Sequence, residues 1–129
     1  MNMPSISVPS VYIVEAQGIL VRSLTAIFTG LNISVAYVSA ELDEDYLREQ
    51  RPGLLFIDTD YLPDGLLNAL RRIEAASQES SVVLFCARLS HTQAQVRTAP
   101  QVKLVIPKSA GTPTIRRMLA DICKDLAFK

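Results

Sequence analysis

Five residues with chemically useful side chains stand directly behind short apolar runs. Glu15-Ala16-Gln17 follows Val11–Val14, Asp58-Thr59-Asp60 follows Leu54–Ile57, Cys86-Ala87-Arg88 follows Val82–Phe85, and Pro107-Lys108-Ser109 follows Val102–Ile106. If these runs are strands of one parallel sheet, carboxylates, a thiol and a lysine converge on its carboxyl edge, where open sheets bind ligands. A carboxylate ending a buried strand needs a counter-charge, and Lys108 is the candidate partner of Asp58. Cys86 is read first as a small buried thiol, since free cysteine is commonly buried. A phosphatase-type loop would need arginine six residues later, where Thr92 stands. His91 is the single histidine, so neither a hydrolase triad nor a zinc site can be assembled around it. The five glycines are scattered singly and form no nucleotide loop.

The elements needed to position these residues are legible in the hydrophobic pattern. Val11–Val14, Ile33–Val38, Leu54–Ile57, Val82–Phe85 and Val102–Ile106 read as strands that alternate with helical segments, the pattern of a parallel sheet covered on both faces. Three runs are apolar without alternation, as strands buried on both sides should be. Ile33–Val38 alternates and Lys103 interrupts the last run, so these two are assigned to the edges. Leu20, Leu24, Ile27, Phe28 and Leu31 draw one helical stripe, Leu66, Leu70 and Ile73 a second, and Ile115, Met118, Leu119, Ile122 and Leu126 a third. A short polar helix is expected over Asp43–Gln50, ended by Pro52-Gly53, and a weakly patterned one over His91–Thr98. Asp64 and Gly65 read as turn and helix-start residues. The expected fold is a doubly wound α/β domain, flavodoxin-like, with five parallel strands in the order 2-1-3-4-5. Residues 1–9 are expected to be a flexible leader and 10–129 the domain.

Composition narrows the function classes. The 129 residues are 49% hydrophobic, with 13 Lys+Arg against 13 Asp+Glu. Balanced charge and the lack of a basic run argue against direct nucleic-acid binding by this domain. No apolar stretch approaches the roughly 20 residues that span a bilayer, and the N-terminus lacks the pattern of a secretory signal, so a cytoplasmic protein without a membrane segment is expected. Cys86 and Cys123 have no spacing that suggests a disulfide framework or a zinc site.

The strand ends resemble the receiver domain of two-component response regulators over about residues 10–127. The resemblance is carried by Leu54-Leu55-Phe56-Ile57-Asp58 followed by Pro63-Asp64-Gly65, and by Ile106-Pro107-Lys108-Ser109-Ala110, the latter similar to receivers in front of helix-turn-helix output domains. It implies that Asp58 is a phosphoacceptor, that Glu15, Asp58 and the backbone carbonyl of Asp60 hold magnesium, and that Lys108 contacts the phosphoryl oxygens. A histidine kinase or phosphotransfer protein would be the donor. An output domain on a longer chain and a homodimer are further implied partners.

Several positions depart from the family pattern. Ala16 stands where a second metal acid belongs, which lowers the charge available to a hard dication. Cys86 replaces the threonine or serine whose hydroxyl bonds the phosphoryl group, and a thiol is a weak donor. Val105 replaces the aromatic switch residue. Pro63 falls five residues after Asp58 where four is usual, so the loop carries an insertion or a different turn. Thr98-Ala99-Pro100-Gln101-Val102 replaces a glycine-rich cap, which predicts a shortened or distorted fourth helix. The expectation is therefore an atypical receiver with weakened or lost phosphorylation that acts through protein–protein interaction, not an enzyme in the ordinary sense. A magnesium-dependent phosphoacceptor controlling a transcriptional output domain is the alternative. A small flavodoxin-like enzyme using Cys86 is the third class.

Overall fold

The computed structural model describes residues 10–127, so the expected leader over 1–9 lies outside the described residues. The strands are β1 (Val11–Val14), β2 (Val35–Ser39), β3 (Leu54–Asp58), β4 (Ser81–Cys86) and β5 (Val102–Pro107). The helices are α1 (Gly18–Gly30), α2 (Glu44–Gln50), α3 (Leu66–Ala76), α4 (Leu89–Gln95) and α5 (Thr112–Ala127), with a 3-10 turn at Thr59–Tyr61. All strand pairs are parallel, in the order β2-β1-β3-β4-β5. This is the expected doubly wound, flavodoxin-like sheet, with β2 and β5 at its edges.

The apolar runs become strands because both of their faces are covered. Every residue of β1, β3 and β4 is buried, whereas β2 alternates between half-buried and exposed. Successive side chains point to opposite faces, so β1 sends Val11 and Ile13 into one core and Tyr12 and Val14 into the other. The first core gathers Leu24, Ile27 and Phe28 of α1 and Ile115 and Leu119 of α5 around Phe56 and Phe85. Phe28 meets Phe56 edge to face at 6.2 Å, one of the favoured aromatic geometries. The second core packs Leu47 of α2 and Leu66, Leu70 and Ile73 of α3 on Leu55, Ile57 and Leu84. Burying each such Leu, Ile or Phe contributes about 1.5–3 kcal/mol, so the two helix layers fix the sheet and with it the alignment of the strand ends.

Some boundaries differ from the sequence reading. β2 starts at Val35, not Ile33, because the Ile33 N–H is taken by the Phe28 carbonyl at the end of α1 (2.9 Å). β3 and β4 each extend one residue further, which brings Asp58 and Cys86 into the strands themselves. The fourth helix begins at Leu89 and stops at Gln95, short of Thr98. Val96 is buried as its cap, Ala99 N–H turns back to the Val96 carbonyl (3.0 Å), and Pro100 has no N–H with which to continue a helix. α2 is fixed at its start by Asp43, whose side chain accepts from the Tyr46 N–H.

Candidate functional site

The chain leaves β1 and β3 for opposite faces of the sheet, and the crevice between their carboxyl ends holds the polar residues anticipated there. Val14 pairs with Ile57, so Glu15 and Asp58 leave adjacent strands at the same level. Cys86 pairs with Pro107, and the Cys86 carbonyl accepts the Lys108 N–H at 2.7 Å, which sets the height of the lysine above the sheet.

Both acids are held by the same local device. The Gln17 N–H donates to Glu15 Oε1 (3.0 Å), and the Asp60 N–H donates to Asp58 Oδ1 (2.9 Å). In each case a backbone amide two residues on satisfies one carboxylate oxygen, as in an Asx-type turn. Of the other two oxygens, Glu15 Oε2 is buried without a hydrogen-bond partner, and Asp58 Oδ2 is buried against the Lys108 ammonium. The two residues are only 3% and 1% exposed. Burial, and then the facing Asp58 carboxylate, push the Glu15 carboxyl up to about 7, against the opposing pull of the Gln17 N–H and Lys108.

Lys108 supplies the positive charge. Its Nζ lies 2.8 Å from Asp58 Oδ2 and 2.7 Å from Asp60 Oδ2, at ion-pair distance but off hydrogen-bond alignment with the Asp58 oxygen. Burial alone would lower the lysine's pKa, and the two carboxylates outweigh it and hold the ammonium above its ordinary value. The same Nζ lies 5.2 Å from the centre of the Tyr61 ring and 5.7 Å from that of Phe85, within cation–π range of both. Above it, Gln17 Nε2 donates to the Tyr61 hydroxyl and joins the loop after β1 to the 3-10 turn after β3.

The structure thus gathers Glu15, Asp58, Asp60 and Lys108 at one point. Asp60 contributes its carboxylate to Lys108, where the sequence reading assigned only its carbonyl. The Cys86 thiol is buried, and what this residue gives the site is its backbone carbonyl. Ala16 is exposed, Val105 is half-buried in β5, and Gly65 starts α3 with φ +82, a left-handed backbone that suits glycine. Gln17, Tyr61 and Phe85 were not anticipated. The sequence signal for Tyr61 was its place three residues after Asp58, and for Gln17 its place two after Glu15. Neither spacing by itself joins one loop to the other.

The donor set fits a hard divalent cation, but sparingly. The unpartnered Glu15 oxygen and the Asp58 oxygen that Lys108 now faces are what such an ion would take, and the Asp60 carbonyl would add a third oxygen. Among the described residues, no group of three or more His, Cys, Asp or Glu side chains is placed to hold a metal. None of the described helices is long and apolar enough to cross a membrane.

No protein-family model and no curated protein matches the chain. Solved structures do match in fold. A two-component response regulator of the LuxR family from an Aurantimonas species aligns with a TM-score of 0.78 at 17% identity, covering 92% of this chain and 87% of that one. The response regulatory domain of protein mrkE from Klebsiella pneumoniae aligns with a TM-score of 0.78 at 14% identity, over 93% and 99% of the two chains. A CheY-like receiver domain protein from Methanospirillum hungatei aligns with a TM-score of 0.73 at 11% identity, over 93% and 97%. The chain has the fold of response-regulator receiver domains.

Proposed function

We propose that this domain is a signalling receiver in which phosphoryl transfer to Asp58 is weakened and contact with other proteins carries the output. One observation bears the reading: of the acid pair expected at positions 15 and 16, a single carboxylate remains. Glu15 is buried and pushed up to about 7, so near neutral pH it offers only part of a negative charge, and the exposed Ala16 methyl offers none. Magnesium, where bound, would be held by Glu15, Asp58 and the Asp60 carbonyl, and would neutralise charge on a transferring phosphoryl group.

The chain's own residues also describe the transfer chemistry they retain. Asp58 Oδ2 is the oxygen not taken by the Asp60 N–H, and it is the atom able to form the new O–P bond while the donor's P–N or P–O bond breaks. Lys108 must leave that oxygen for the phosphoryl oxygens, and Asp60 keeps the ammonium nearby as it does so. This geometry favours the second reading, a phosphoacceptor served by a histidine kinase or phosphotransfer protein and coupled to a transcriptional output domain. Cys86 brings a thiol and Val105 no ring to such a switch, which supports output through standing surfaces instead of a phosphorylation-driven rearrangement.

Intact-mass measurement after incubation with acetyl phosphate and magnesium separates the two. The expected result is a trace adduct at most in the native chain and none in Asp58→Ala or without magnesium. In Ala16→Asp the adduct should rise at least about tenfold, the scale on which ligand-shell changes alter metal affinity. Substantial labelling of the native chain, lost in Asp58→Ala, overturns the weakened reading and establishes the phosphoacceptor.

A further inference from the structure

The Lys108 ammonium is more heavily engaged than pairing with Asp58 requires. It meets two carboxylate oxygens at 2.8 and 2.7 Å and two aromatic rings, those of Tyr61 and Phe85. Phe85 belongs to β4 and is buried, so its ring is a fixed wall. Tyr61 is 42% exposed on a one-turn 3-10 segment, and an exposed ring on so short an element has little packing of its own to hold it. What holds it is Gln17, whose amide reaches across the crevice from the loop after β1 to the Tyr61 hydroxyl. Both loops are also pinned at their bases, because the backbone amides of Gln17 and Asp60 satisfy Glu15 and Asp58. The bridge therefore joins the two loops that carry the buried acids.

We propose that Gln17 and Tyr61 form a latch across the pocket: their hydrogen bond holds the Tyr61 ring over Lys108, so that Tyr61 is a positioning residue keeping the ammonium on Asp58 and Asp60 and closing the pocket to an incoming oxyanion. For a phosphoryl group to reach Asp58 Oδ2, Lys108 must swing away from it and the ring above must yield. An intact latch then opposes both movements. The closure rests on the reading of the pocket as a receiver site, whereas the restraint on Lys108 rests on the geometry alone, and the two are tested separately.

The restraint is read from hydrogen exchange of the Lys108 ammonium, followed by 15N NMR at mildly acid pH and assigned by its loss in Lys108→Arg. Tyr61→Phe keeps the ring and removes the hydroxyl, and Gln17→Ala removes the other half of the bond. Each residue is exposed, so neither change removes packing from the core. Either variant should speed exchange by about threefold or more, within what one net hydrogen bond is worth. The double variant should be no faster than the larger single effect, because both changes break one interaction. Unchanged exchange in both single variants, or effects that multiply in the double variant, overturns the latch. Acetyl phosphate labelling of the same proteins tests the closure: a several-fold faster adduct in Tyr61→Phe supports it, and an equal rate overturns it. Absence of adduct in every variant counts against the pocket as a phosphoacceptor and against the closure that rests on it, and the ammonium exchange still decides the restraint.

Discussion

Two polar clusters occupy the carboxyl edge of the sheet, one on each side of β1, and they treat their carboxylates in opposite ways. Around Tyr12, the Tyr12, Tyr37 and Ser39 hydroxyls and both Asp43 oxygens are hydrogen-bonded. The Tyr12 hydroxyl accepts the Asp43 N–H at 3.0 Å and bonds to the Ser39 hydroxyl, which in turn donates to the Glu41 carbonyl at 2.5 Å. Asp43 accepts from the Tyr46 N–H on one oxygen (3.0 Å) and from the Tyr37 hydroxyl on the other (2.8 Å), while the Tyr37 and Tyr46 rings stack at 4.2 Å. These hydrogen bonds, the Tyr46 N–H foremost, hold the Asp43 carboxyl below its ordinary value. In the pocket beside it, Glu15 keeps one oxygen without a partner, Asp58 leans on the single Lys108 ammonium, and Glu15 is pushed the other way, to about 7. A cluster whose donors and acceptors cancel specifies a loop conformation. A cluster that retains buried, unpaired capacity holds it for something outside the chain.

Removing the cation from the pocket should cost most. In Lys108→Met, Asp58 and Glu15 face each other with no nearby ammonium, and stability at pH 8 should fall by about 2–3 kcal/mol in urea unfolding, somewhat below a fully buried broken pair because the lysine side chain is partly exposed. A loss under about 0.5 kcal/mol, the range of ordinary surface substitutions, would mean that the pocket is internally balanced like its neighbour and would dissolve the contrast. Tyr12→Phe should cost less, about 1–2 kcal/mol, by stranding the Asp43 N–H and loosening the Ser39 hydroxyl while the ring packing is kept. Acetyl phosphate labelling should be indifferent to that change, since the Glu15 N–H to Ser39 carbonyl bond that joins the two clusters (2.9 Å) is backbone and stays in place.

The same contrast explains what was legible in the sequence. The unbroken apolar character of Val11–Val14, Leu54–Ile57 and Val82–Phe85 announces central strands because nothing else buries such runs on both sides, and Lys103 and the alternation of Ile33–Val38 mark the edges. Glu15 and Asp58 could be found because each stands directly behind such a run, and Lys108 because it closely follows the edge run, so locating the strand locates the residue. The Asp60 carboxylate, Gln17 and Tyr61 could not. The Gln17–Tyr61 contact spans 44 residues, the Asp60 carboxylate reaches the loop after β5, and both depend on a 3-10 turn, for which the late Pro63 gave the one hint, a turn unlike the usual one. The tyrosine cluster was equally hidden: Asp43 was visible as a helix start, but nothing local brings Tyr12 to its amide 31 positions away. Contacts set by element order follow from pattern, and contacts set by loop shape do not.

A pH-dependent effect sharpens the same comparison. Glu15 has its ordinary value near 4.5 when unfolded and titrates at about 7 in the folded chain, so between these values the folded state binds more protons than the unfolded one. Stability contributed by this group therefore falls as pH rises from about 4.5 to 7, with a slope no steeper than about 1.4 kcal/mol per pH unit, the limit for one proton. Asp43 has the opposite sign. Its lowered value gives stability that is present above the ordinary aspartate range and is lost as the solution becomes more acid than that range. Glu15→Gln keeps an acceptor for the Gln17 N–H and removes the titration. The variant should match the native chain near pH 4 and exceed it in stability progressively to pH 8. Urea unfolding across that range, for both proteins, gives the two curves. Parallel curves would place the Glu15 carboxylate among satisfied charges, and curves that part above about pH 4 would show the folded chain carrying an uncompensated acid at the position where a receiver needs one.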